Sequence, residues 1–308
     1  MIYLLSISND TTSRDIMEWC FLYSMKIKRI NETNITKMFL YLSPNSKTTD
    51  YVIDLTTEYN VDIDLDRVIY RRGRFNFIDA TTFPNLKVDF RTLNSDIENL
   101  FTQYNSINKY PDIFISKIDA LKAAKNLNIK FPLTLIAHSW EQVTSKISGK
   151  IITKHFNETS TKILYKKTLF RCSKGTVIVD KNNAPRKFSP SLFQEYIEKK
   201  YEIRSFYFKG SFKSMAIFSQ QNEKTKIDFR NYDHSRPNRY VPYNLPREIE
   251  NKLHKLMLAL NLNCGSIDLI ISPDGDYYFL EVNPVGQYQW VSKYCNYFLE
   301  RMIVQNLR

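Results

Sequence analysis

Glycine is scarce in this chain, at 7 of 308 residues. No G-x-G-x-x-G follows the first apolar run, so a dinucleotide-binding βαβ unit has no support. No linker rich in glycine, serine or proline divides the chain, and no segment repeats. Cysteine is sparser still. Cys20, Cys172, Cys264 and Cys295 show no C-x-x-C spacing, so neither a zinc site nor a disulfide scaffold is signalled. No apolar run approaches the roughly 20 residues of a membrane span. The opening MIYLLSIS is short, lacks a basic flank and reads as a first buried strand rather than a signal peptide. The expectation is a cytoplasmic chain with no membrane partner.

What is present is core material and positive charge. Hydrophobic residues make up 43% of the chain and aromatic residues 14%, which argues against disorder. At 308 residues the chain can form two or three lobes sharing one body. Lys and Arg number 44 against 32 Asp and Glu, a net charge of +12. That excess is spread along the chain rather than gathered in a tail, and Lys199 and Lys255 are expected to be ordinary solvated members of it. It suits a nucleic acid, an acidic peptide or a nucleotide, and selects none of them.

Residues 1–115 read as an α/β lobe. A strand is expected at 2–7, then a helix capped by Ser13 with Ile16, Trp19, Cys20 and Tyr23 on one stripe. Further strands at 37–42 and 68–70 suggest a parallel sheet. Arg71-Arg72-Gly73-Arg74 then forms a basic cluster that suits a solvated turn and a substrate contact equally. A second unit opens at Ser116, which forms a capping box with Asp119 ahead of the stripe Ile118, Leu121, Ala124 and Leu127. Ser139 and Gln142 repeat the device, and residues 151–154 form a strand ending in Lys154. Residues 226–239 lack an apolar period and read as a loop. Pro246 opens a helix with Ile249, Leu253, Leu256, Met257 and Leu260 on one face, which leaves His254 at the surface. Residues 292–306 read as one closing helix burying Phe298, Leu299, Met302 and Ile303.

The chemistry is most legible at 264–287, CGSIDLIISPDGDYYFLEVNPVGQ. Two runs rich in β-branched and aromatic residues flank Pro273-Asp274-Gly275, a hairpin signal. With Asp274-Gly275 as the turn centre, Asp268 faces Glu281, and strand alternation puts Asn283 on the same side as Glu281. Like charges in facing positions destabilise a hairpin unless something lies between them. Two acidic residues alone would suit a solvated flap better than a metal site. This hairpin is too apolar for that, and Asn283-Pro284 fixes the amide at its tip. Asp268, Glu281 and Asn283 therefore form a candidate all-oxygen site for a hard cation, Mg²⁺ above all.

D-x-L at 268–270 with F-L-E-V-N-P at 279–284 resembles the metal-binding end of ATP-grasp ligases. The longer run EVNPVGQYQWVSKYCNYFLE is similar to the ATP-grasp maturases of graspetides, the microviridin-type macrocyclised peptides. It is most similar to the subgroup called grasp-with-SPASM. The resemblance covers most of the chain and is densest from residue 116 onward. It implies an α/β chain of α+β lobes with the ATP-grasp fold: a pre-ATP-grasp α/β lobe at 1–115, a central lobe at 116–190 and a C-terminal lobe with the metal site at 191–308.

The resemblance also implies ligand contacts. Lys117 and Lys154 would be the phosphate lysines, because point cations beside ATP stabilise binding and transfer. Glu195 and Tyr196 would line the adenine, and Glu202 would bond the ribose hydroxyls. Arg230, in Asp228-Phe229-Arg230-Asn231, would hold the transferred phosphate and join Lys154 as a catalytic residue. The segment 155–175 has a single glycine, a departure from many ATP-grasp phosphate covers that the graspetide branch shares.

The implied cofactors are ATP and Mg²⁺. The implied partner is a precursor peptide with a leader and a core containing Thr, Ser or Lys together with Asp or Glu. Nucleic acid is not implied, and a homodimer is compatible with the reading. The expected activity is an ADP-forming ligase that activates Asp or Glu side chains as acyl phosphates and closes ester or amide macrocycles. An intermolecular ligase adding amino acids to a protein or small molecule is the alternative within the same fold. A basic nucleic-acid-binding protein that has lost catalysis is the alternative from another class, and it has no use for the metal constellation.

Overall fold

The computed structural model describes residues 1–308 other than 32, 42–49, 56–66, 74, 78–86, 104–105, 110, 155–160, 166–167, 173–174, 181, 183–186 and 308. The first lobe holds a four-stranded parallel sheet in the order Ile27–Asn31, Ile2–Ser6, Arg67–Tyr70, Ser106–Ile107. Ile2, Tyr3, Leu4 and Leu5 are all buried, as a strand covered on both faces requires. The helix Thr11–Leu22 follows, with Ile16 and Cys20 in the core. Its cap is Asp10 rather than Ser13. The Asp10 carboxylate accepts from Ser13 N at 3.0 Å and from Ser13 Oγ at 2.5 Å, because an acceptor three residues ahead captures both donors. Thr33–Tyr41, expected in the parallel sheet, joins a separate three-stranded sheet with Asp50–Leu55 and Phe75–Phe77.

The second sheet is small and antiparallel, in the order Val177–Ile178, Ile151–Lys154, Lys187–Glu195, Thr134–Ser139. It has a core of its own, made of Ala137, Val143, Ile147, Ile151 and Phe193. Both serine N-caps form, one on the helix Lys117–Asn126 and one on the helix Trp140–Thr144. Ser116 Oγ accepts from Asp119 N at 3.0 Å and Ser139 Oγ from Gln142 N at 3.4 Å.

The third sheet is five-stranded and antiparallel: Arg239–Tyr243, Ser211–Phe218, Tyr201–Phe208, Cys264–Ile271, Tyr277–Asn283. In its central strand, Glu202–Phe208 is buried throughout. Ile203 and Tyr207 face a core shared with Leu253, Leu256 and Met257 of the helix Arg247–Ala259. Phe206 and Phe208 face the seam with the first lobe, against Leu4, Ile16 and Ile69. Glu202 and Arg204 share the face of Phe206, so alternation commits two charged residues to the interior, where each must find a partner.

Asn108 stitches this sheet to the first lobe. Its Oδ1 accepts from Asn263 N and Cys264 N, and its Nδ2 donates to Cys264 O and Pro284 O. Its own N–H donates to Asn263 Oδ1.

Two expectations are corrected here. The closing helix is broken into Gln289–Cys295 and Leu299–Gln305, with Asn296 (φ 55°) and Phe298 (φ 52°) in left-handed conformations at the break. Phe298 is consequently turned outward and 51% exposed. His254 is half-buried rather than at the surface, with Nδ1 2.9 Å from Tyr207 Oη, because the buried phenol needs a partner. No helix of the described residues is long and apolar enough to cross a membrane.

Candidate active site

The hairpin places Asp268 directly opposite Glu281, as expected, although not by the expected route. The turn is one residue longer than a two-residue loop: Ser272 N donates to Asp276 O, and Ile271 pairs with Tyr277. On its own, that register would set Asp268 opposite Leu280. A bulge between the Asp268 and Leu269 pairings restores the match on the site side. Ser266 then pairs with Asn283, and Asn283 Nδ2 lies 3.4 Å from Glu281 Oε1.

The facing carboxylates are held by cations from two elements, with a third cation nearby. Arg204 Nη1 reaches Asp268 Oδ2 at 2.6 Å, from the facing position on the neighbouring strand. Lys117 Nζ reaches Glu281 Oε2 at 3.1 Å. Lys117 is the first residue of the helix Lys117–Asn126, where the helix dipole disfavours a cation, so its tie to Glu281 offsets a local cost. Lys154, at the end of its strand, is half-buried. Burial pushes its ammonium below the usual lysine range; Glu281 opposes this, and nearby Lys117 and Arg230 reinforce it. Burial also pushes the Asp268 carboxyl up to about 6, with Arg204 acting against that rise and Glu281 adding to it. Asp268 Oδ1 is buried with no hydrogen-bond partner among the described residues.

These groups border one cavity of about 690 Å³ between the small sheet and the five-stranded sheet. Lys154, Glu195, Tyr196, Glu202, Arg230, Asp268, Glu281 and Asn283 all line it. Lys117 is not on the wall and meets the cavity through Glu281. Arg230 is half-exposed and forks onto Asp228, with Nε–Oδ1 and Nη2–Oδ2 both at 2.9 Å. Asp228 also accepts from Thr176 N at 3.0 Å, which ties the 226–239 loop to the start of the small sheet's edge strand. Burial would raise the Asp228 carboxyl, but the Arg230 fork and the Thr176 and Arg230 amides hold it below its ordinary value.

At the cavity's other flank, Glu195 Oε1 accepts from Leu133 N at 2.8 Å, so this side chain fastens one crossing strand to the next. Tyr196 lies under Lys150, whose Nζ is 5.7 Å from the ring centroid. Glu202 accepts from Lys199 Nζ at 2.5 Å and from Ser219 Oγ at 3.0 Å. Lys199, expected in solvent, is a correction. It is 8% exposed, lines the cavity and donates to Ile227 O at 3.0 Å, because the 226–239 loop folds over it.

No protein-family model and no curated protein sequence matches the chain. Among solved structures it is similar to a Chryseobacterium gregarium RiPP-associated ATP-grasp ligase in complex with ADP and a leader and core peptide. The TM-score is 0.82 at 22% identity, covering 99% of this chain and 96% of that one. The macrocyclase MdnC from Microcystis aeruginosa, bound with precursor peptide MdnA, superposes with a TM-score of 0.76 at 24% identity over 100% and 99%. The ATP-grasp ligase PsnB, complexed with a minimal precursor, Mg and ADP, gives 0.74 at 16% over 99% and 96%. The chain has the ATP-grasp fold.

Within this ATP-grasp fold the donor set fits Mg²⁺. The unpartnered Asp268 Oδ1, the Glu281 carboxylate and the Asn283 amide give oxygen donors on one face of a hairpin, and a hard cation takes such donors. Among the described residues no three His, Cys, Asp or Glu gather at one point. Two site residues were missed by sequence reasoning. Arg204 was signalled only by a charge in the middle of an apolar strand, and Lys199 had no local signal. The glycine-poor segment after Lys154 contributes the hairpin Thr161–Tyr165 with Thr168–Cys172, whose side chains lie outside the described residues.

Proposed function

We propose that the chain is an ADP-forming ligase of the graspetide-maturase type, within the grasp-with-SPASM subgroup, acting on a ribosomally made precursor peptide. The observation that carries the reading is the cavity itself. Two facing carboxylates and an amide oxygen meet Lys117, Lys154, Arg204 and Arg230 around a volume large enough for a nucleotide. The similar structures named above hold ADP, leader and core peptides or precursor peptides, which supports the same substrate class here. We assign 1–115 as the pre-ATP-grasp lobe, 116–190 as the central lobe and 191–308 as the C-terminal lobe.

ATP is a substrate. Glu195 and Tyr196 border its adenine, and the Lys199–Glu202 pair its ribose hydroxyls. Asp268, Glu281 and Asn283 would hold Mg²⁺, which would supply neutralising charge to the ATP phosphates. Lys154 and Arg230 hold the transferred phosphoryl oxygens, Arg230 through the fork it now lends to Asp228. Arg204 holds Asp268 in place. A peptide carboxylate displaces ADP from the γ-phosphorus and becomes an acyl phosphate. A hydroxyl or amine of the same peptide then attacks the acyl carbon, phosphate leaves, and the bond formed is an ester or amide. The buried walls limit loss of the acyl phosphate to water.

Incubation with candidate leader-and-core peptides containing Thr, Ser or Lys together with Asp or Glu, ATP and Mg²⁺ tests the reading by mass spectrometry. The peptide loses one water per crosslink, and fragmentation places each bridge between Asp or Glu and Thr, Ser or Lys of the same chain. Removing the leader lowers turnover, since remote binding energy positions the reacting groups. A product that gains the mass of an amino acid would instead establish the intermolecular ligase.

A second test separates the phosphate cations from bulk charge. Lys154→Ala and Arg230→Ala each weaken binding of a non-hydrolysable ATP analogue by about 10-fold or more, the scale of a lost charge-assisted contact. Lys255→Ala, at an exposed helix position, leaves it unchanged. Equal effects at all three positions in calorimetric titrations would mean that net charge, rather than a site, attracts the nucleotide.

A further inference from the structure

The parallel sheet of the first lobe has a crevice at its centre. From Ile2–Ser6 the chain moves to one side, to Ile27–Asn31, and from the neighbouring Arg67–Tyr70 to the other, to Ser106–Ile107. The loops after the two central strands therefore diverge, and open α/β sheets take ligands at such a point, outside the carboxyl ends of the strands. Here the turn that leaves the metal hairpin enters it. Arg71, directly after one central strand, donates from Nη1 to Gly286 O at 3.3 Å. From beyond the other, Thr11 Oγ1 donates to Gln289 Oε1 at 2.9 Å, and Gln289 Nε2 donates to Asp15 Oδ2.

Stability alone gives little reason for an arginine at 71. It is 4% exposed, with Nη2 3.6 Å from Asp10 Oδ1 and the guanidinium 5.3 Å from the centroid of the Tyr288 ring. Its Nε and Nη2 have no hydrogen-bond partner among the described residues. Burying a guanidinium is costly, and one bond to a neutral carbonyl offsets little of that cost. What the bond does fix is the turn. Gly286 N donates to Asn283 O at 3.0 Å, so the carbonyl held by Arg71 and the residue carrying the metal-site amide close one turn. Asn108 Nδ2 holds Pro284 O and Arg204 Nη2 holds Gln287 O, each at 3.3 Å. The turn has no slack against the neighbouring strand: a Cβ on Gly286 would stand 2.9 Å from Ser266 Cβ and 3.0 Å from Arg204 Nη2.

We propose that Arg71 is a positioning residue for the metal-site amide, so that the first lobe sets where Asn283 stands while supplying none of the three oxygen ligands. This rests on the Mg²⁺ assignment above. Groups that orient a metal's ligands change its affinity by about 10- to 100-fold when they are removed. Arg71 acts through the backbone of 283–286 rather than through the amide itself.

The test uses the full-length chain in excess over a non-hydrolysable ATP analogue. Mn²⁺, a spectroscopic stand-in for Mg²⁺, is titrated in, and bound metal is read from the loss of the free-ion EPR signal. Arg71→Met weakens Mn²⁺ binding by about 10-fold or more. Ile16→Val, a packing change in the same lobe, lowers the melting temperature and leaves Mn²⁺ binding unchanged. In a chain that already carries Asn283→Ala, the Arg71 change weakens Mn²⁺ binding no further, because the group it positions is gone. A merely structural role would not produce that dependence on Asn283. If Arg71→Met does not fold, the double variant Arg71→Met with Asp10→Asn, which removes the stranded charge, decides. Wild-type Mn²⁺ affinity in the Arg71 variant, or a full further loss in the Asn283→Ala chain, overturns the assignment to Arg71 and leaves the metal reading standing. Equal Mn²⁺ binding by the wild-type and Asp268→Asn chains overturns both.

Discussion

Glu281→Gln and Asp268→Asn each cut Mg²⁺-dependent ADP release by about 10²–10³-fold or more, the scale of losing a preorganised electrostatic group. Both changes keep side-chain shape and remove one charge. The fold survives because two opposing terms nearly offset. Each substitution relieves repulsion between the facing carboxylates, and each also deprives a cation of its partner: Arg204 at 2.6 Å for Asp268, Lys117 at 3.1 Å for Glu281. The Glu281 change is the gentler one for stability, since its pair is more exposed, with side chains 22% and 15% accessible. ADP release measured beside thermal melting checks both statements. Near-normal Mg²⁺-dependent turnover by the Glu281 variant would remove the metal assignment.

Lys199→Met destabilises the chain by about 3–5 kcal/mol, the cost of leaving one partner of a buried ion pair uncompensated. Glu202 would keep Ser219 Oγ as a donor but lose the ammonium at 2.5 Å, in a strand buried along nearly its whole length. Lys255→Met, with the same loss of charge at an exposed position, changes stability by less than about 0.5 kcal/mol. Urea unfolding of the two variants separates these outcomes. Equal midpoints would show that the Lys199–Glu202 contact contributes nothing. The double variant Lys199→Met with Glu202→Gln should recover part of the loss, because the stranded charge goes with its partner.

Sequence reasoning succeeded where the physics is local. Ser116 with Asp119 and Ser139 with Gln142 lie three residues apart, and each hydroxyl accepts from the amide that the spacing brings to it. The facing of Asp268 and Glu281 was also legible, although a longer turn and the compensating bulge were not: strand sequence records which residues pair near a site more firmly than where the extra residue is absorbed. Lys199 was misread because a lysine's burial depends on what later folds across it, here the segment carrying Ile227 O, 28 residues on. The break in the closing helix carries no glycine or proline. Asn296 and Phe298 take left-handed conformations that the apolar period gives no sign of.

The bonds around Asn108 decide which part of the molecule can move when a nucleotide enters. Separating the first sheet from the hairpin would break its bonds to Asn263, Cys264 and Pro284 together and would bare the Arg71 pair with Asp10 as well. The small sheet is held otherwise. It keeps its own core, and among the described residues the Glu195–Leu133 bond lies within its two crossing strands rather than across to the five-stranded sheet. The first sheet and the hairpin are thus joined by several bonds that would fail together, whereas the Thr176–Asp228 bond ties the edge of the small sheet to the 226–239 loop.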